Sequence, residues 1–174
     1  MQWTCDSAYR FFPLIENELM GLTLHPFDLA TNKVLAMAGR VEVRDWFDVL
    51  QCDVAVQPFG YLVWAACGKD PGYNPISLIA QVAKAHYSQT EVNMLEFDGS
   101  PPDATALGKE WHRIVTTART ICNALPHEEL GKALLTTTGK LYRGNPEDIP
   151  GAIERGELFF HEGRIGGAWP EIVK

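Results

Sequence analysis

LHPFDLATNKVLAMAGRVEVRDWFDV, residues 24–49, decides the fold class, because it reads as two amphipathic helices that break near Gly39. Asp28 is expected to be the N-cap of the first helix, its side chain accepting from the orphan amides of the opening turn. Leu29, Lys33 and Ala36 then share one face with Arg40, while Val34, Leu35 and Ala38 point elsewhere. The second helix begins near Val43 and carries Arg44, Asp45 and Asp48 through Trp46, Phe47, Val49 and Leu50.

Outward from this pair the helical texture continues as far as Pro126. Pro58-Phe59-Gly60 opens the apolar stretch YLVWAACG, which Gly68 is expected to end in C′ style. Pro75 sits at the first turn of a helix to about Tyr87, with Ile76, Ile79, Val82 and Ala83 as its core stripe. Beyond the breaker Asp98-Gly-Ser-Pro-Pro102, the residues Leu107, Trp111, Ile114, Ala118, Ile121 and Leu125 recur at steps of three and four. At the N-terminal side, Tyr9–Leu14 and Leu22–Leu24 read as two short strands with Glu16-Asn17-Glu18 as the polar turn. At the C-terminal side, Ala133–Leu135 and Lys140–Tyr142 flank a Thr-Thr-Gly139 turn and suggest a hairpin. Asn145–Ile149 starts a short helix to about Arg155, and Leu158–Phe160 is a terminal β segment. The expected fold is α+β, mainly α: a helical body with two short N-terminal strands and a small C-terminal β-hairpin region. We expect one domain over residues 1–174, in segments 1–53, 54–126 and 127–174.

Composition bounds the function. Of 174 residues, 46% are hydrophobic and 21% charged, as in an ordinary globular domain able to bury a core without staples. With 22 acidic against 15 basic residues, the formal charge is −7, which argues against a general nucleic-acid coat or an anionic membrane surface. A local basic patch, and with it a nucleic-acid partner, stays open. No apolar run approaches the ~18–20 residues that span a bilayer, and MQWTCDSAYR lacks the features of a signal peptide. A cytoplasmic chain is the expectation. Cys5, Cys52, Cys67 and Cys122 form no Cys-x-x-Cys pair and are expected to be reduced thiols. His25, His86, His112, His127 and His161 show no metal-ligand spacing, so no metal site is expected. Trp3, Trp46, Trp64, Trp111 and Trp169 are expected as core anchors.

Two readings of residues 24–49 compete. In the structural one the charges cap and pair, Arg44 bridging Asp48 four residues on for about 0.3–0.5 kcal/mol. In the functional one Lys33 and Arg40 present positive charge to a polyphosphate while the carboxylates orient them. Elsewhere Gly163-Arg-Ile-Gly-Gly167 reads as a plain hairpin connection, with a flexible anion loop as the alternative. No Gly-x-Gly-x-x-Gly, phosphate-binding Gly-x4-Gly-Lys or Gly-x-Ser-x-Gly is found.

The order Asp28-x4-Lys33, an Ala-rich turn, then Arg40-x3-Arg44-Asp45-x2-Asp48 resembles the nucleotidyltransferase-fold proteins of the bacterial abortive-infection (AbiEii-like) type. The resemblance covers the chain as far as Cys52. It implies that Asp28, Lys33, Arg40, Arg44, Asp45 and Asp48 line a nucleotide cleft, the lysine touching the triphosphate. It also implies a cofactor, a nucleoside triphosphate with Mg²⁺, and transfer of the nucleotidyl group to a hydroxyl, an RNA acceptor among the options. Such enzymes hold two metal ions on an Asp-x-Asp pair after a Gly-Ser turn. That element should precede Asp28, and no Asp-x-Asp occurs in this sequence. Glu96-Phe-Asp98 is no substitute, since its Gly99-Ser100 follows rather than precedes. The expectation is a nucleotidyltransferase-related domain that binds a nucleotide or complements a separate catalytic chain. The alternative is a non-catalytic helical interaction module that dimerises through the exposed edge of its leading strands.

Overall fold

The computed structural model of the chain describes residues 9–40 and 42–166, so Trp3, Cys5, Gly167 and Trp169 lie outside the described residues. The order of elements is β1 (Tyr9–Arg10), β2 (Ile15–Asn17), β3 (Gly21–Thr23), α1 (Pro26–Arg40), α2 (Val43–Ala55), α3 (Phe59–Lys69), α4 (Pro75–Val82), α5 (Gln89–Val92), α6 (Ala104–Ala124), β4 (Ala133–Thr136), α7 (Ile149–Glu154), β5 (Leu158–His161) and β6 (Arg164–Ile165). The fold is α+β and mainly α. Its described strands form three separate two-stranded antiparallel sheets, β1–β6, β2–β3 and β4–β5.

The core is organised around α3. Every residue from Phe59 to Cys67 is buried, and a helix apolar on all sides must be wrapped on all sides. α1, α4, α6 and β4 supply that wrapping. α6 buries the stripe read from its sequence, with Trp111, Ile114, Ala118 and Ile121 inside, and Trp46 and Trp64 are buried as well. Two glycines let α3 sit so close to its neighbours. A Cβ on Gly60 would come within 2.7 Å of Ile121 Cβ and 2.9 Å of Ala118 Cα on α6. Gly68 abuts the backbone of Gly131, so it is an inner residue of α3 rather than its terminator, and the helix runs one residue further to Lys69.

Several boundaries differ from the sequence reading for local reasons. α1 starts at Pro26, not at Asp28: the His25 imidazole Nδ1 accepts from Phe27 N at 3.2 Å, leaving the Asp28 carboxylate free for other partners. The first hairpin turns at Glu18–Met20 because the Asn17 side chain accepts from Leu19 N and Met20 N at 3.0 and 3.1 Å. Glu16 and Asn17 therefore belong to β2. The leading strands pair differently from the sequence reading, since β1 joins β6 from the other end of the described residues and β2 pairs with β3. α4 stops at Val82 rather than near Tyr87, and Ile76 is exposed while Leu78, Ile79 and Val82 are buried. The hairpin after Thr136 is present, with Leu135 bridged to Leu141, but the longer partner of β4 is β5.

Three side chains tie the C-terminal segment to the helices. Gln57 Nε2 donates to Leu134 O and Tyr142 O, Tyr61 Oη to Gly144 O, and Trp64 Nε1 to Glu129 O. Among the described residues no helix is long and apolar enough to cross a membrane. The close α3–α6 contact sets an expectation for mutagenesis. Gly60→Ala should cost about 1–3 kcal/mol by overpacking. Gly108→Ala, in open space on α6, should instead gain up to about 1 kcal/mol from helix propensity. Urea unfolding of both variants checks the contrast.

Candidate functional site, a charge cluster between α1 and α2

Helical geometry sorts the six candidate residues into one group and two outliers. At 100° per residue, Lys33 and Arg40 lie within about 20° of each other around α1, whereas Asp28 and Lys33 are about 140° apart. On α2, Asp45 and Asp48 are three apart and share a face. The short connection from Arg40 to Val43 folds α2 back so that these two faces meet.

The Arg40 guanidinium forks onto the Asp45 carboxylate, Nε to Oδ2 at 2.6 Å and Nη2 to Oδ1 at 2.8 Å. Lys33 Nζ lies 2.6 Å from Asp48 Oδ2 and 3.9 Å from Asp45 Oδ1. Asp45 is wholly buried, in the first turn of α2 where the helix dipole favours a carboxylate. The two cations keep 38% and 54% of their side-chain surface exposed. Arg40 is held strongly in its charged form by the hydrogen bonds and charge of Asp45. The Tyr87 ring lies tilted against Trp46 at 5.2 Å, and burial together with the Asp45 charge pushes its phenol up to about 12.

Arg44 and Asp28 stand apart. Arg44 is exposed and has no ion pair among the described residues, so the expected Arg44–Asp48 bridge gives way to Lys33–Asp48. Asp28 sits near the start of α1, about 18 Å along the axis from Arg40. It is fully buried: Oδ1 accepts from Phe11 N at 2.9 Å and Oδ2 from Phe12 N at 3.0 Å. Its counter-charge is Lys69, with Nζ 2.9 Å from Asp28 Oδ1, 3.2 Å from Asp28 O and 2.8 Å from Asn32 Oδ1. Lys69 escaped the sequence reading because it follows Gly68, where a helix end was expected. The signal was a lone cation closing an otherwise apolar helix.

These carboxylates do not fit a two-metal centre. Asp45 and Asp48 already accept from cations, and Asp28 is committed to Lys69 and two backbone amides at the other end of α1. Among the described residues no group of three or more His, Cys, Asp or Glu is close enough to hold a metal ion. Cys52, Cys67 and Cys122 are free thiols; burial pushes Cys52 up to about 11 and the other two up to about 12, which removes them as nucleophiles near neutral pH.

No family model, curated protein or solved structure matches the chain.

Burial of both partners makes the Asp28–Lys69 pair testable. Asp28→Asn leaves an uncompensated ammonium and should cost about 3–5 kcal/mol. Asp28→Asn combined with Lys69→Met should cost less than Asp28→Asn alone, and a double-mutant cycle in urea measures the difference.

Proposed function

We propose that this chain is the helical part of a nucleotidyltransferase-like protein, without a metal-binding carboxylate pair of its own among its described residues, that helps to hold a nucleotide brought to a separate catalytic part. One observation carries this reading: Lys33 and Arg40 lie side by side, half-exposed, each oriented by an α2 carboxylate. The Asp45 fork uses Arg40 Nε and Nη2, leaving Nη1 to donate, and the Lys33 ammonium retains donors beyond its bond to Asp48. Oriented cations with spare donors suit the oxygens of a triphosphate, whose Mg²⁺ travels with the nucleotide. The order of charged residues from Asp28 to Asp48 supports the same class.

Glu42 Oε2 also lies 3.8 Å from Arg40 Nε, so three carboxylates face Lys33 and Arg40, and binding should be weak and salt-sensitive. Titration with Mg²⁺-ATP tests the reading. Lys33→Ala should lose binding while unfolding at the same urea concentration as the parent. Asp48→Asn, which frees the lysine, should bind as well or better. Unchanged binding in Lys33→Ala sinks the reading.

A second reading rests on the β2–β3 hairpin, an isolated two-stranded sheet with Leu19 95% exposed, Met20 73% and Leu22 69%. Such a ribbon is marginal alone, and an apolar, unpaired edge is what natural proteins normally cover. In this reading two copies of the chain pair through the hairpin. Sedimentation should then show a dimer that Leu19→Ser with Leu22→Thr converts to monomer. A monomeric parent removes this reading.

A further inference from the structure

Apart from the α1–α2 charges, β1 and β6 place two arginines directly across from each other. Arg10 pairs with Arg164 in an antiparallel register, so both side chains leave the ladder on the same face. Like charges directly opposite destabilise a strand pair, and a two-stranded sheet of this length has little to offset them. Arg10 Nε is in addition buried with no hydrogen-bond partner among the described residues, which carries a desolvation cost. Both arginines line one cavity of about 380 Å³.

The rest of the lining explains what such a cavity suits. Phe12, Pro13 and Leu14 supply an apolar wall, and His161 completes it. His161 is fixed in place: its Nε2 is 2.7 Å from Phe11 O, and its ring stacks on Phe12 at 5.1 Å and 16°. Among the described residues no lining side chain is acidic, in a chain whose formal charge is −7. The Asp28 carboxylate behind Phe11 and Phe12 accepts from their backbone N–H groups and is neutralised by Lys69.

We propose that this cavity is a binding site for a small organic phosphate, its dianion held between Arg10 and Arg164 and its apolar body against Phe12, Pro13 and Leu14. A phosphate monoester matches the two positive charges and the forked geometry of guanidinium donors. The volume is in the range of small-molecule sites, about 300–1,000 Å³. Neither Lys33 nor Arg40 takes part, so the site stands or falls independently of the nucleotide reading.

Phenyl phosphate is the probe, followed by calorimetry and by thermal unfolding of the full chain. It should bind and raise the melting temperature, and Arg164→Gln should weaken binding by about tenfold or more. In the absence of ligand, Arg164→Gln should unfold at the same temperature as the parent or higher, because the substitution relieves the cross-strand repulsion. A structural arginine would show the reverse. Arg10→Gln should behave alike; Arg164, exposed on its strand, decides the matter if the Arg10 variant does not fold. Three outcomes overturn the proposal: no binding of phenyl phosphate, undiminished binding in Arg164→Gln, or equal affinity for inorganic phosphate, which would remove the apolar body from the assignment.

Discussion

The buried pair of Asp28 and Lys69 is the constraint on which the rest of the arrangement depends. Taking both charges out of water is costly unless each remaining donor and acceptor is satisfied. Here the three ammonium donors meet Asp28 Oδ1, Asp28 O and Asn32 Oδ1, while the carboxylate also accepts from Phe11 N and Phe12 N. That one network joins the end of α3, the first turn of α1 and the segment after β1. With Phe11 and Phe12 held over α1, their rings pack edge-on against Phe27 at 5.1 and 5.5 Å. β1 is thereby delivered to β6, and the Arg10–Arg164 cavity follows from that placement.

The two charge systems of α1 do different physical work although they belong to one short sequence motif. At its N-terminal end the charges are dry and fully paired, an arrangement that holds a unique packing. At its C-terminal end Lys33 and Arg40 remain half in water, and only Asp45 is buried. Exposed pairs contribute little to stability, so the Lys33–Asp48 contact adds less to the fold than the buried Asp28–Lys69 pair.

Much of the helical body was legible in the sequence. The three- and four-residue recurrence of α6 survives because one face of a long helix meets one continuous core, and Pro75 announces the start of α4. The convergence of Lys33 and Arg40 with Asp45 and Asp48 was legible too, as spacing on two consecutive helices. The partners of Asp28 were not. An Asp next to a helix start is read as its cap, but the His25 ring takes that position at Phe27 N, and Lys69 arrives from a helix 41 residues further on. The glycines misled in the same way: Gly68 looks like a terminator in one dimension and is a contact surface for Gly131 in three.

By itself, the sequence determined the mainly helical class, the positions of α1, α2, α3 and α6, and the set of charges that α1 and α2 share. Those features depend on local periodicity and on residues within two or three turns of one another. Tertiary structure alone decided that β1 pairs with β6, that Asp28 is neutralised by Lys69, and that Arg10 and Arg164 share a face. Each of these joins residues far apart in the chain, brought together by the burial of α3 on all sides, and no local pattern encodes a partner that only the packed core makes adjacent.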